Sequence, residues 1–144
     1  MRLVDLNDEE RDTLFDLTSA GYVFDWTIRS SDISNVTALV DKGTIAGLVE
    51  FERRPQDLLD YLWLIEVADG YKGTKAAGKL LAYVAQDAMD AGFEGFVLFE
   101  SKSYLYQYYI QAYRAKPVRG RFLIFDTETS RWLIETYLKD DNNE

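Results

Sequence analysis

The chain of 144 residues has no cysteine and no histidine. Without cysteine there is no disulfide, no thiolate nucleophile and no Cys-based zinc site. Without histidine, Ser-His-Asp and Cys-His machinery and every His-based metal site are excluded as well, so no metal is expected. Base work must then fall to carboxylates or water, and acid work to Tyr or Lys. Positive charge is also scarce: 16 Lys and Arg stand against 25 Asp and Glu, a net charge of −9. That balance disfavours nucleic acid or an anionic membrane as the main partner. No apolar run approaches membrane-spanning length, and Met1-Arg2-Leu3-Val4-Asp5 has no apolar signal core. A cytoplasmic protein is the expectation.

What is present is enough to build a core. Hydrophobic residues make up 47% and aromatics 15% of the chain, which argues for one folded domain over residues 1–138, followed by a polar tail over 139–144. Asn7 or Asp8 can cap a helix starting near Glu9, with Leu14, Leu17 and Phe15 as its apolar stripe and Gly21 as its end. Tyr22, Phe24 and Trp26 alternate with Val23, Asp25 and Thr27 as in a strand, and Ser30-Ser31-Asp32 reads as loop. Residues 35–41 and 44–53 are two β-rich runs joined by the hairpin turn Asp41-Lys42-Gly43. A strand over 61–68 follows. From Ala76 the period becomes helical: Ala77, Leu81, Val84 and Ala88 recur to about Met89. Residues 96–99 read as a central strand, 101–115 as a tyrosine-rich helix, 122–125 as a strand, and 127–138 as a helix capped by Asp126 or Thr127. The basic run Arg114, Lys116, Arg119 and Arg121 reads as a solvated loop. The order gives an α+β, or mixed α/β, fold. Its sheet is antiparallel at the N-terminal end and carries one βαβ unit, with helices on both faces.

The segment 62–81 concentrates the chemistry. A strand breaks at Asp69-Gly70, and Tyr71-Lys72-Gly73-Thr74-Lys75-Ala76-Ala77-Gly78-Lys79 opens a helix. The first N–H groups of a helix lack intrahelical partners and carry partial positive charge, so this order suits an anion, and Lys72, Lys75 and Lys79 add to it. Gly73-x-x-x-x-Gly78-Lys79 is a near match to a nucleotide-triphosphate loop. Leu80, however, stands where the metal-binding hydroxyl is needed, and the preceding hairpin does not suit that fold.

The same segment resembles the acetyl-CoA loop of the GNAT superfamily of N-acetyltransferases, Gln/Arg-x-x-Gly-x-Gly/Ala, here Lys72-Gly73-Thr74-Lys75-Ala76-Ala77 followed by Leu80-Leu81. The resemblance extends through Gly47-Leu48-Val49, Leu64-Ile65-Glu66-x-Ala68, Gly92-Phe93-Glu94-Gly95-Phe96, Lys102-Ser103-x-Leu105-x-x-x-Tyr109, Ala115 and Leu133-Ile134-x-x-Tyr137, roughly residues 36–138. The pattern is similar to a small bacterial or mobile-element branch of that superfamily. It departs from the family at Lys75, where the central loop glycine is expected, and at Arg114, where a glycine is expected before Ala115.

The resemblance implies acetyl transfer from acetyl-CoA to a small-molecule or peptide amine by direct attack; a homodimer is one possible assembly. It implies that Val67 or a neighbour on a bulged fourth strand offers a backbone N–H to the thioester carbonyl. Residues 72–79 and Lys102 would hold the cofactor. Glu66, read as sharing a strand face with Leu62 and Leu64, is the candidate base, with Glu50 and Glu52 in reserve. Tyr109 is the candidate acid, although Tyr106, Tyr109 and Tyr113 also fit an aromatic core stripe. The alternative is a catalytically silent module of the same fold that binds or regulates.

Overall fold

The structure is a computed structural model, and it describes residues 1–15, 17–101 and 104–139. The strands are β1 (Arg2–Leu6), β2 (Asn35–Asp41), β3 (Thr44–Arg54), β4 (Leu59–Val67), β5 (Val97–Glu100), β6 (Lys116–Arg119) and β7 (Phe122–Phe125). The helices are α1 (Asp8–Asp12), α2 (Ala76–Asp90), α3 (Tyr106–Tyr113) and α4 (Thr127–Tyr137). The strands form one mixed sheet in the order β1-β2-β3-β4-β5-β7-β6. Every pairing is antiparallel except β4 with β5, which the α2 crossover makes parallel. The expected mixed sheet with an antiparallel N-terminal part and a βαβ unit is therefore what forms.

Register assigns the two faces. On one, Val49, Phe51, Leu62, Val97 and Phe99 pack with Leu80, Leu81 and Val84 of α2 and Leu133 of α4. On the other, Leu48 packs with Val36, Ala38, Leu14, Tyr22 and Trp26. Each fully buried Leu or Val contributes about 1.5–3 kcal/mol. α2 meets α4 through small residues: Gly78 is buried, and a Cβ there would fall 2.3 Å from the Tyr137 ring. α4 starts on Asp126, whose side chain accepts Thr129 N–H at 2.9 Å.

Several elements differ from expectation. β1 was not expected; it is short and half polar, and pairing with β2 from Arg2↔Val40 to Leu6↔Val36 makes it a strand. α1 has its Asn7–Glu10 capping box but stops at Asp12, where the Thr13 hydroxyl donates to Glu10 O at 2.6 Å. The alternating aromatics at 22–27 form no strand: Tyr22 and Trp26 are buried while Val23 and Phe24 are exposed. α3 begins at Tyr106, after a turn at 104–105, and residues 102–103 of the expected helix lie outside the described residues. Of the basic run read as loop, Lys116 and Arg119 lie on edge strand β6, which tolerates Pro117 because an edge leaves one side of the ladder unpaired. The tail from residue 140 and Lys102 lie outside the described residues.

Candidate active site

The parallel ladder between β4 and β5 is short. It runs Asp60↔Val97, Tyr61↔Leu98, Leu62↔Phe99 and stops, while β4 continues to Val67. The register against β3 shifts between Glu50↔Leu64 and Phe51↔Leu62, so Trp63 is an extra, bulged residue on β4. Beyond it, the Ala68 N–H donates to Ala46 O at 2.9 Å on the β3 side. Successive N–H groups of a strand alternate sides. Those of Ile65 and Val67 therefore point the other way, into the opening left by β5.

The turn after β4 forms the end of that opening. A short 3-10 turn spans Asp69–Tyr71, and the Tyr71 hydroxyl ties it to Asp41 on the β2–β3 hairpin at 2.7 Å. Gly73 takes φ +80, a left-handed conformation that glycine adopts without strain. The Thr74 hydroxyl donates to Tyr71 O at 2.5 Å and accepts Ala76 N–H at 3.2 Å. Lys75 caps α2 with φ −79 and ψ 3, a region open to any residue. The loop thus does not need glycine at position 75, and the side chain there is exposed. Lys72 is exposed and pairs with Asp69 at 2.8 Å.

Lys72, Gly73, Thr74 and Lys75 connect the 3-10 turn to α2, and Ala76 and Ala77 are its first residues. Gly78 and Lys79 face α4. Gly78 lies against Tyr137, and the buried Lys79 ammonium donates to Tyr137 O at the end of α4 (3.3 Å). The Gly-Lys pair that completed the nucleotide-triphosphate loop in the sequence is thus spent on helix packing.

Glu66 lies on the face of β4 opposite Ile65 and Val67. Because Trp63 bulges, it shares that face with Leu64 but not, as expected, with Leu62. Its Oε1 accepts the Phe24 N–H at 3.0 Å and the Trp26 indole N–H at 2.8 Å; its Oε2 accepts the Val23 N–H at 2.9 Å. Two more sheet carboxylates on the same face hold the rest of this segment. Glu50, fully buried, accepts the Ser30 N–H and hydroxyl (2.8 and 2.6 Å), the Ser34 hydroxyl (2.6 Å) and Arg11 (3.2 Å). Burial works to raise the Glu50 carboxyl, but these bonds outweigh it and hold it below the ordinary glutamate value. Glu52 accepts the hydroxyl of Ser31 and the indole N–H of Trp63. Arg11 completes the frame by donating to Trp26 O at 3.0 Å and Ile28 O at 2.8 Å. Residues 22–34 are therefore a wall clamped to the sheet by three carboxylates.

Tyr109 packs edge-on against Phe99 of β5, with centroids 5.1 Å apart, and is surrounded by Tyr108 and Tyr113. Burial, with the neighbouring Tyr108, pushes its hydroxyl up to about 12, so it holds its proton at neutral pH. Tyr113 is core; Tyr104 and Tyr108 are exposed. α3 ends at Arg114 in a left-handed conformation, φ +60, and its guanidinium lies 3.9 Å over the Trp132 ring. The helix end expected of a glycine is thus kept.

The reading from sequence missed the Arg11–Glu50 network. Its one signal was a charged residue three positions before Leu14, on the apolar stripe. Among the described residues no helix is long and apolar enough to cross a membrane.

The sequence model of the acetyltransferase (GNAT) family matches residues 2–109. No curated protein matches the chain at the level of sequence. Among solved structures, that of AtaTR bound with acetyl-CoA is 14% identical, with 92% of this chain and 97% of that chain covered at a TM-score of 0.68. A GNAT-family acetyltransferase from Staphylococcus aureus Mu50 is 13% identical over 88% and 98% of the two chains, with a TM-score of 0.65. Tetrahymena GCN5 is 8% identical over 86% and 94%, with a TM-score of 0.59. With three quarters of its length in the family match, the chain belongs to the GNAT acetyltransferase family.

Proposed function

We propose that this protein transfers an acetyl group from acetyl-CoA to an amine by direct attack. The observation that carries this is the opening between β4 and β5, with the Val67 N–H aimed into it and the α2 N-terminus at its mouth. Acetyl-CoA supplies the thioester. Residues 72–77 fit its pyrophosphate: N–H groups at the start of α2 and the ammonium groups of Lys72 and Lys75 offer hydrogen bonds and positive charge. The Val67 N–H is placed to polarise the thioester carbonyl.

Glu66 is the proposed base. A carboxylate has about four acceptor positions, and three are taken by Val23, Phe24 and Trp26. The remaining one, on Oε2, can receive the acceptor's ammonium proton, directly or through water. Residues 22–26 then form the acceptor wall and fix the carboxylate's orientation. Tyr109 is the proposed acid: its hydroxyl keeps a proton to give to the departing thiolate. A small-molecule or peptide amine is the proposed acceptor. A catalytically silent member that only binds is the rival reading.

Release of free thiol from acetyl-CoA, measured against a panel of amines for wild type, Glu66→Gln and Tyr109→Phe, separates the two. Turnover lost in the variants with cofactor binding intact supports the enzyme. Cofactor binding with no turnover on any acceptor supports the silent module.

A further inference from the structure

Val23 and Phe24 are apolar, adjacent in sequence and exposed over 85% and 46% of their surface. A lone exposed apolar residue needs no explanation. These two are a pair, and they stand at a charge. Their backbone N–H groups are the ones that Glu66 accepts, at 2.9 Å on Oε2 and 3.0 Å on Oε1. Covalent geometry puts a Cβ about 2.5 Å from its own backbone nitrogen, so each side chain starts within about 5.5 Å of a Glu66 oxygen. The segment that carries them is held to the sheet by Glu66, Glu50 and Glu52, which fixes where this apolar surface is shown.

Charge limits what can meet that surface. Glu66 is a carboxylate, and the neighbouring Asp25 is exposed. Arg29 is the one cation of residues 22–34, and Asp8 and the Ser34 carbonyl hold it at 2.9 and 2.6 Å. Arg11 is buried on Glu50, and Lys72 is paired with Asp69. An acceptor with a carboxylate or phosphate next to its amine would meet like charge here, and the cations of this region are already engaged. An ammonium group on Glu66 Oε2 would sit about 2.8 Å from that oxygen. The carbon that bears the amine, and its substituent, then fall within reach of Val23 and Phe24.

We propose that the acceptor is a primary amine with an apolar substituent on the carbon next to nitrogen and no negative charge beside it. Val23 and Phe24 are its specificity-determining contacts. This rests on the acetyl-transfer reading above and names the substrate class of that same site. In the transfer the bond from amine nitrogen to acetyl carbon forms as the thioester C–S bond breaks. The ammonium nitrogen loses two protons in all: one leaves through Glu66, and the other balances the proton that Tyr109 gives to the thiolate.

Glycinamide, leucinamide and glutamic acid α-amide share one α-amino amide head and differ only in side chain. Thiol release from acetyl-CoA should give leucinamide a kcat/KM about tenfold above that of glycinamide. Glutamic acid α-amide should fall below glycinamide. Val23→Ser and Phe24→Ala change side chains only, because the bonds to Glu66 come from the backbone. Each should lower the leucinamide-to-glycinamide ratio by about threefold or more, with the Kd for acetyl-CoA unchanged. Val23→Ser, at the more exposed position, should also melt as wild type does. A ratio near one in wild type, or the wild-type ratio in both variants, overturns the apolar contact and leaves acetyl transfer standing. So does a glutamic acid α-amide acetylated as fast as leucinamide. A wild-type protein that binds acetyl-CoA and acetylates none of the three amides overturns the substrate class. One that does not bind acetyl-CoA overturns the acetyl-transfer reading as well.

Discussion

Glu66→Gln tests whether the carboxylate is a structural clamp as well as a candidate base. The wild-type side chain accepts three N–H groups, at 2.9, 3.0 and 2.8 Å. Glutamine has one acceptor oxygen. It can keep the Phe24 and Trp26 bonds, but its amide N–H₂ then faces the Val23 N–H, donor to donor. A hydrogen bond to a charged group contributes about 1.5–3 kcal/mol, and the exposure of Val23 lowers that to about 1–2 kcal/mol here. For a chain of this length the unfolding midpoint should fall by roughly 3–8 °C. Circular dichroism melts give the midpoint. Limited proteolysis reports the wall directly: residues 22–34 should be cut faster in the variant at a temperature where both proteins are folded. Turnover, measured well below both midpoints, should drop by about 10²–10⁴-fold if Glu66 is also the base. A variant that melts within a degree of wild type, with an unchanged cleavage pattern, would refute the clamp. Full turnover in that variant would refute the base.

Three further outcomes follow from the same geometry. Tyr109→Phe should cut turnover by about 10²-fold or more with little change in the melt, and no rate loss from Tyr109 ionisation should appear below about pH 10, since its hydroxyl sits near 12. Gly78→Ala should destabilise by about 1–3 kcal/mol in a denaturant titration, because its Cβ would fall 2.3 Å from the Tyr137 ring. Asp60→Asn should flatten an alkaline loss of stability. Asp60 is fully buried, and burial, with the negative charge of neighbouring Asp87, holds its carboxyl well above the ordinary range while Arg53 offsets only part. A carboxyl raised on folding binds more protons in the native state, so stability falls as pH rises from the unfolded value near about 4 toward the native one. Melts from pH 5 to 9 should show that slope in wild type and less of it in the variant.

The sheet was legible where local signals were strong. The hairpin at Asp41-Lys42-Gly43, the change from period two to period 3.6 at Ala76 and the Asp126 cap all specify structure within a few residues. Residues 22–34 were not legible because nothing local holds them. Their backbone is fixed by Glu50, Glu52 and Glu66, contributed from strands distant in sequence. The alternation of Tyr22, Phe24 and Trp26 imitated a strand while only Tyr22 and Trp26 turn inward. The same reasoning covers the site. The turn at 72–77 was readable from its order of strand, glycine and helix start. The sequence pattern could not tell that Gly78 and Lys79 face α4, because one residue of rotation on a helix decides it. Nor could it reveal the Trp63 bulge, which moved Leu62 off the face of Glu66.

Titration of acetyl-CoA into the wild-type protein tests the central claim most directly. The account predicts saturable one-to-one binding heat and a rise in melting temperature with ligand, equivalent to about 2.7 kcal/mol at a hundredfold excess over Kd. Lys75→Gly should leave that binding within a small factor, since the loop needs its glycine at position 73. No binding heat and no thermal shift at millimolar acetyl-CoA would contradict it.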